Sequence, residues 1–199
     1  MLSILKSTPL LAALLLATPA LAQTSDSDTE SGTEADFRTG YYNEEGAARV
    51  PEPAADQVVI DALQDTVYEL SELRHQVQQV HWNVTGPLFY SLHDMLGEFY
   101  ETLALKVDMI AERKRALAEP ADARPLEVGQ NADLPPLTGD LIADADALDH
   151  LSEVYLVVAQ RLRDRIEATG DPDAVTQDLL IDVDTAIEKQ LWMLRAHMR

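Results

Sequence analysis

The chain has 199 residues, no cysteine and a formal net charge of −20. Without cysteine there are no disulfides, no thiolate metal ligands and no iron–sulfur cluster. An acidic excess of this size repels nucleic-acid phosphates and anionic lipid and attracts cations.

Residues 1–22 read as an export signal. Lys6 supplies a short positive region, Leu10 to Ala17 an apolar run, and Ala20-Leu21-Ala22 a cleavage site that starts the mature chain at Gln23. The apolar run is too short to cross a bilayer, so no membrane partner is expected. The expected location is periplasmic or otherwise secreted. Lys6 is the one charged side chain removed, so the mature chain is slightly more acidic still. Residues 23–55 follow with eight acids against Arg38 and Arg49, interspersed with Ser, Thr, Gly and Pro. They carry too little apolar surface to offset the entropy of ordering and read as a disordered acidic tail.

From Asp56 the pattern is helical to the end of the chain, so residues 56–199 form one domain. Leu63, Leu70, Val77 and Val84 recur every seven residues, with Ile60 and Val67 alongside, and predict a helix over 56–84. Thr85-Gly86-Pro87 stops it. A second helix is predicted over 87–118, with Leu92, Leu96, Phe99, Leu103 and Ile110 on one side. Residues 119–138 contain four prolines and a glycine and form a long connection with room for a short helix. A third helix is expected over 139–169, with Thr138 as N-cap and Gly170 just past its end. A fourth is expected to start at Pro172 behind Asp171 and to end near His197. Four long helices with short first and last turns and one long crossover predict an all-α fold, a ferritin-like four-helix bundle.

Two imidazoles, His81 and His93, flank the first turn. Two carboxylates, Asp108 and Glu112, lie further along the second helix at i,i+4, on one face. Nitrogen and oxygen ligands without thiolate suit iron, manganese or zinc. His93 and Asp108 are 15 residues apart on one helix, about 22 Å along its axis. They cannot ligate the same ion within one chain. The constellation therefore splits into half-sites, His81/His93 and Asp108/Glu112. If two second helices pack antiparallel about a two-fold axis near residues 101–102, the halves of different chains meet, and an isologous dimer makes two identical sites. Taken singly, the residues have plainer readings. Each histidine could be a hydrogen-bonded core residue, and the acids a solvated face partnered by Arg113 or Lys114. Trp82 reads as core and the Asn83–Gly86 turn as structural. Glu72-Leu73-Arg74-His75 is an E-x-x-H, but no second copy accompanies it, so Glu72 and His75 read as a surface pair.

The segment His75 to Ala118, with its HWNVTGPLFYSLHDML and VDMIAERKRAL runs, closely resembles the Dps family of ferritin-like mini-cages in residues and gaps. Glu188 to Met198 resembles that family's last helix. The resemblance implies a ferroxidase centre between two-fold-related subunits, with His81 and His93 from one chain and Asp108 and Glu112 from the other. Glu112 is then the candidate to bridge two irons. It also implies Fe(II) as substrate, hydrogen peroxide or oxygen as oxidant, ferric storage in a cage of twelve subunits, and protection against oxidative damage. Acids near the start of the last helix, Asp171, Asp173, Asp178 and Asp182, correspond to the family's three-fold pore, Asp178 foremost.

Gly97 departs from the family pattern, which places a carboxylate one turn after the second histidine. A glycine supplies no ligand and costs about 1 kcal/mol in a helix relative to alanine. Water could fill the position, Glu98 could swing in, or the centre could be weakened. The leading expectation is an active but altered ferroxidase; the alternative is a ferritin-like metal-binding scaffold with little or no activity. Many family members bind DNA through a lysine-rich tail. Here the tail is acidic, and no nucleic-acid partner is expected.

Overall fold

The heptad of Leu63, Leu70 and Val77 is fully buried on one side of α1 (Gln57–Asn83). Burial of each such side chain is worth roughly 1.5–3 kcal/mol. Asp56 caps the helix, its side chain accepting from the Val58 amide. The computed structural model describes residues 56–198. The expected signal and acidic tail lie outside the described residues.

Four long helices pack as the sequence predicts. α1 turns into α2 (Phe89–Ala116), whose Leu92, Leu96, Phe99, Leu103 and Ile110 are all buried. The crossover carries a short helix, α3 (Pro125–Asn131), which buries Val128 against α1. The chain returns through α4 (Asp144–Thr169) and α5 (Ala174–Ala196). α1 packs on α2 and α4, and α5 packs on α4 and α2, closing an all-α four-helix bundle. The fully buried Tyr155 spans the core and donates its hydroxyl to Gln190 at 2.7 Å. Among the described residues, no helix is long and apolar enough to cross a membrane.

A two-residue ladder shapes the site end of the bundle. Val84–Thr85 (β1) pairs in parallel with Ile142–Ala143 (β2). This pairing corrects the expected start of the third helix. Residues 139–143 are not helical, and α4 begins at Asp144. Thr138 does not cap it; its hydroxyl instead accepts from the Asp140 amide in the preceding turn. Asp144 is tied to the first turn, accepting at 2.9 Å from the Leu88 amide. Gly86 completes that turn at φ +124°, and a Cβ there would lie 2.5 Å from Asp144 Oδ2. Both the backbone angle and the close approach require glycine.

Gly170 follows the end of α4 as expected; it is right-handed, and its missing side chain makes room for Gln177, whose amide caps the Ile166 carbonyl. Two further expectations are corrected. The last helix starts two residues after Pro172. Asp173 is its N-cap, accepting from the amides of Val175 and Thr176. Trp82 is 62 % exposed. It sits five residues after Val77, about 140° round the helix from the buried stripe.

Candidate metal centre

The last carbonyls of a helix have no partner within it. At the end of α1, one of them is taken by a ligand candidate. His93 Nδ1 lies 2.8 Å from the His81 carbonyl, and His81 Nδ1 lies 2.6 Å from the His93 carbonyl. The two rings stack, 3.8 Å between centroids at 18°. A carbonyl can only accept, so each Nδ1 carries its proton and donates. The lone pair of each Nε2 is thereby left for a metal. Such outer hydrogen bonds fix tautomer and ring orientation in metal-binding histidines. Phe89 stacks on His93 and Tyr100 stands edge-on to His81, each at 5.3 Å. Both rings hold the pair in place. Sequence reading missed them, although positions 89, 93 and 100 follow helical spacing.

Asp108 and Glu112 lie on the same continuous helix, α2, one turn apart and exposed. Their plainer partners are engaged elsewhere. Arg113 pairs with Asp173 at 2.7 Å, and Lys114 is buried and donates to Gln64. Neither carboxylate makes a side-chain hydrogen bond or ion pair among the described residues. The histidines and these acids stay at opposite ends of α2. Among the described residues, no group of three or more His, Asp or Glu side chains could hold a metal. Within one chain the two pairs stay apart. Tyr90 (81 % exposed) shares the azimuth of Asp108, and Leu105 (71 % exposed) lies about 60° round the helix. They leave apolar surface uncovered along the seam where a second α2 would lie.

Gly97 faces the histidine pair. A Cβ built there would lie 3.6 Å from His81 Cε1 and 3.8 Å from Nδ1, ordinary contacts. A side chain at this position would begin in ordinary contact with the His81 ring. Glu98 is exposed, about 100° further round the helix.

The acids near the start of α5 divide. Asp178 and Asp171 are exposed. Asp182 is paired with Lys106 at 2.5 Å. Asp173 belongs to the fold: burial opposes its ionisation, but hydrogen bonds from Thr176 and Arg113 outweigh this and hold its carboxyl below the usual range. The Glu72/His75 pair does not form. Glu72 accepts from Gln76 one turn on, and Gln76 in turn meets His150.

The family model for the ferritin-like domain matches residues 60–199. DNA protection during starvation protein 2 of Deinococcus radiodurans is 34 % identical over 70 % of this chain, which spans 58 % of the length of that relative. DNA protection during starvation protein of Agrobacterium fabrum is 31 % identical, over 73 % of this chain and 90 % of its own. The solved structure of Mycobacterium smegmatis Dps superposes with a TM-score of 0.71 at 29 % identity, covering 75 % of this chain and 93 % of that one.

Proposed function

We infer the function from one premise: the chain belongs to the Dps family of ferritin-like proteins. It is read as an exported ferroxidase and iron-storage protein. A two-fold dimer assembles His81 and His93 of one subunit with Asp108 and Glu112 of the other, and dimers build a cage, twelve subunits by family resemblance. Fe(II) is the substrate. The carboxylates hold it as a hard cation, and the imidazole Nε2 atoms add borderline ligands. Two Fe(II) ions each give one electron, and one hydrogen peroxide accepts both together with two protons as its O–O bond breaks to give two waters. Consuming peroxide in two-electron steps avoids hydroxyl radical. Ferric product hydrolyses and is stored inside. Exposed Asp178 would sit at the entry pore.

The observation that carries this reading is the reciprocal His81–His93 hydrogen bonding, which leaves two oriented Nε2 lone pairs with no partner among the described residues. The test is Fe(II) oxidation by peroxide in the purified protein. Oxidation of about two irons per peroxide is the expected result. Rates equal to buffer would leave the scaffold reading, which Gly97 favours by removing one ligand.

Export rests on the residue pattern of positions 1–22. Relatives are named for DNA protection, and removing iron and peroxide protects DNA without touching it. The positive clusters support a chain that does not bind it. Arg161 and Arg165 clamp the buried Glu69, Arg163 pairs with Glu188, and Arg113 with Asp173. A low-salt gel shift is expected to show no retention of duplex DNA, and tight binding would overturn this part.

A further inference from the structure

Burying a guanidinium is costly unless each donor finds an acceptor, because arginine does not deprotonate. Arg113, Arg161 and Arg165, the partly buried ones, all meet carboxylates. Arg74 does not. Its Nε is buried with no hydrogen-bond partner, and no carboxylate among the described residues lies within 4.0 Å. The chain has more than twice as many acids as bases, so the lack of an internal partner is not for want of carboxylates.

Arg74 lines a cavity of about 220 Å³ between α1 and α2. Ser71 and His75 bring a hydroxyl and an imidazole to the same space, and Ala104, Val107 and Ala123 wall it with apolar surface. A guanidinium, a hydroxyl and an imidazole converge there, and no carboxylate lines the cavity. Apolar walls lower the local dielectric and strengthen attraction to an anion. An unmet buried donor is unfavourable, and a bound oxyanion would meet it.

We propose that this cavity is an oxyanion site, with Arg74 as its fixed charge and Ser71 and His75 as further donors. The oxyanion has two sources of the same chemistry. One is free inorganic phosphate. The other is a carboxylate from a second copy of the chain. With α2 packed antiparallel about residues 101–102, Glu98 of the partner subunit comes level with residue 105, beside the Ala104 wall. The phosphate source is independent of the iron-oxidation reading. The carboxylate source uses the same dimer, but its test reads association and not oxidation, so the two readings fail separately.

The experiment titrates the full assembled protein with inorganic phosphate by calorimetry and follows thermal midpoints in phosphate and chloride at equal ionic strength. A bound oxyanion stabilises the folded form as RT ln(1 + [L]/Kd). One phosphate per chain and a phosphate-specific rise in midpoint are expected for the wild type. Arg74→Met is expected to lose both, and Ser71→Ala, which keeps the charge, to weaken binding severalfold. If the partner's Glu98 fills the site, phosphate does not bind. Dimer dissociation is then raised about tenfold by Arg74→Met and by Glu98→Gln, with no further rise in the double variant. Phosphate binding unchanged in Arg74→Met, or neither phosphate binding nor any effect of Arg74 on association, would overturn the proposal.

Discussion

Two inactive variants, His81→Ala and Glu112→Ala, should regain activity when their subunits are unfolded together and reassembled. Each variant alone should lose Fe(II) oxidation to near the buffer rate, since every site in its homodimer lacks a ligand. In a mixed dimer, one site carries both substitutions and the other carries neither. Random pairing makes half of the dimers mixed, and half of the sites in those are intact. About one quarter of wild-type activity should therefore return. The expectation follows from the length of α2, which holds His93 and Asp108 apart on one straight element. Were the centre built within one subunit, every site in the mixture would still lack a ligand and nothing would return. Stoichiometric oxidation measured before and after reassembly decides between them.

Placing a carboxylate at position 97 should strengthen the centre. The built Cβ of Gly97 meets His81 at 3.6 Å, an ordinary contact, so the first side-chain atom of Gly97→Asp fits without a clash. It also replaces a residue with the second-poorest helix propensity. The Fe(II) concentration for half-maximal oxidation should fall on the order of tenfold, the scale on which interactions at a metal site act. Glu98→Gln made in parallel separates the ways in which the wild type could manage. If Glu98 supplies the missing ligand, this change slows the wild type and leaves Gly97→Asp untouched. If water does, Glu98→Gln leaves both unaltered. An aspartate at 97 that leaves iron affinity unchanged would remove glycine as the reason for a weakened centre.

The bundle was legible because its signal is local and periodic. A seven-residue repeat in α1 and an i,i+4 stripe in α2 report which side faces the core, whatever lies there. The split of the four candidate residues into two pairs was legible for a similar reason: helix rise alone separates His93 from Asp108. What escaped depends on partners remote in sequence. Thr138 and Gly139 carry helix-start chemistry, but Ile142–Ala143 is drawn into a ladder with Val84–Thr85, and local propensity yields to it. Gly170 resembles a left-handed cap, yet its role is to make room for Gln177. The mutual bonding of His81 and His93 runs through backbone carbonyls, which carry no mark in a sequence. The unpartnered guanidinium of Arg74 is equally silent there, because a missing neighbour leaves no motif.

The short ladder also governs how the crossover can vary. Pairing Val84–Thr85 with Ile142–Ala143 anchors the returning chain three residues after His81. The stretch between α2 and β2 is therefore a loop closed at both ends, and its length is uncoupled from the histidine pair. Closure entropy grows only with the logarithm of loop length, about 0.6 kcal/mol per doubling. Gly139 is exposed, with nothing within 4 Å of where its Cβ would stand. Extra residues inserted there would cost little chain entropy and leave the histidine pair undisturbed, which makes this the place to graft a peptide label onto the protein.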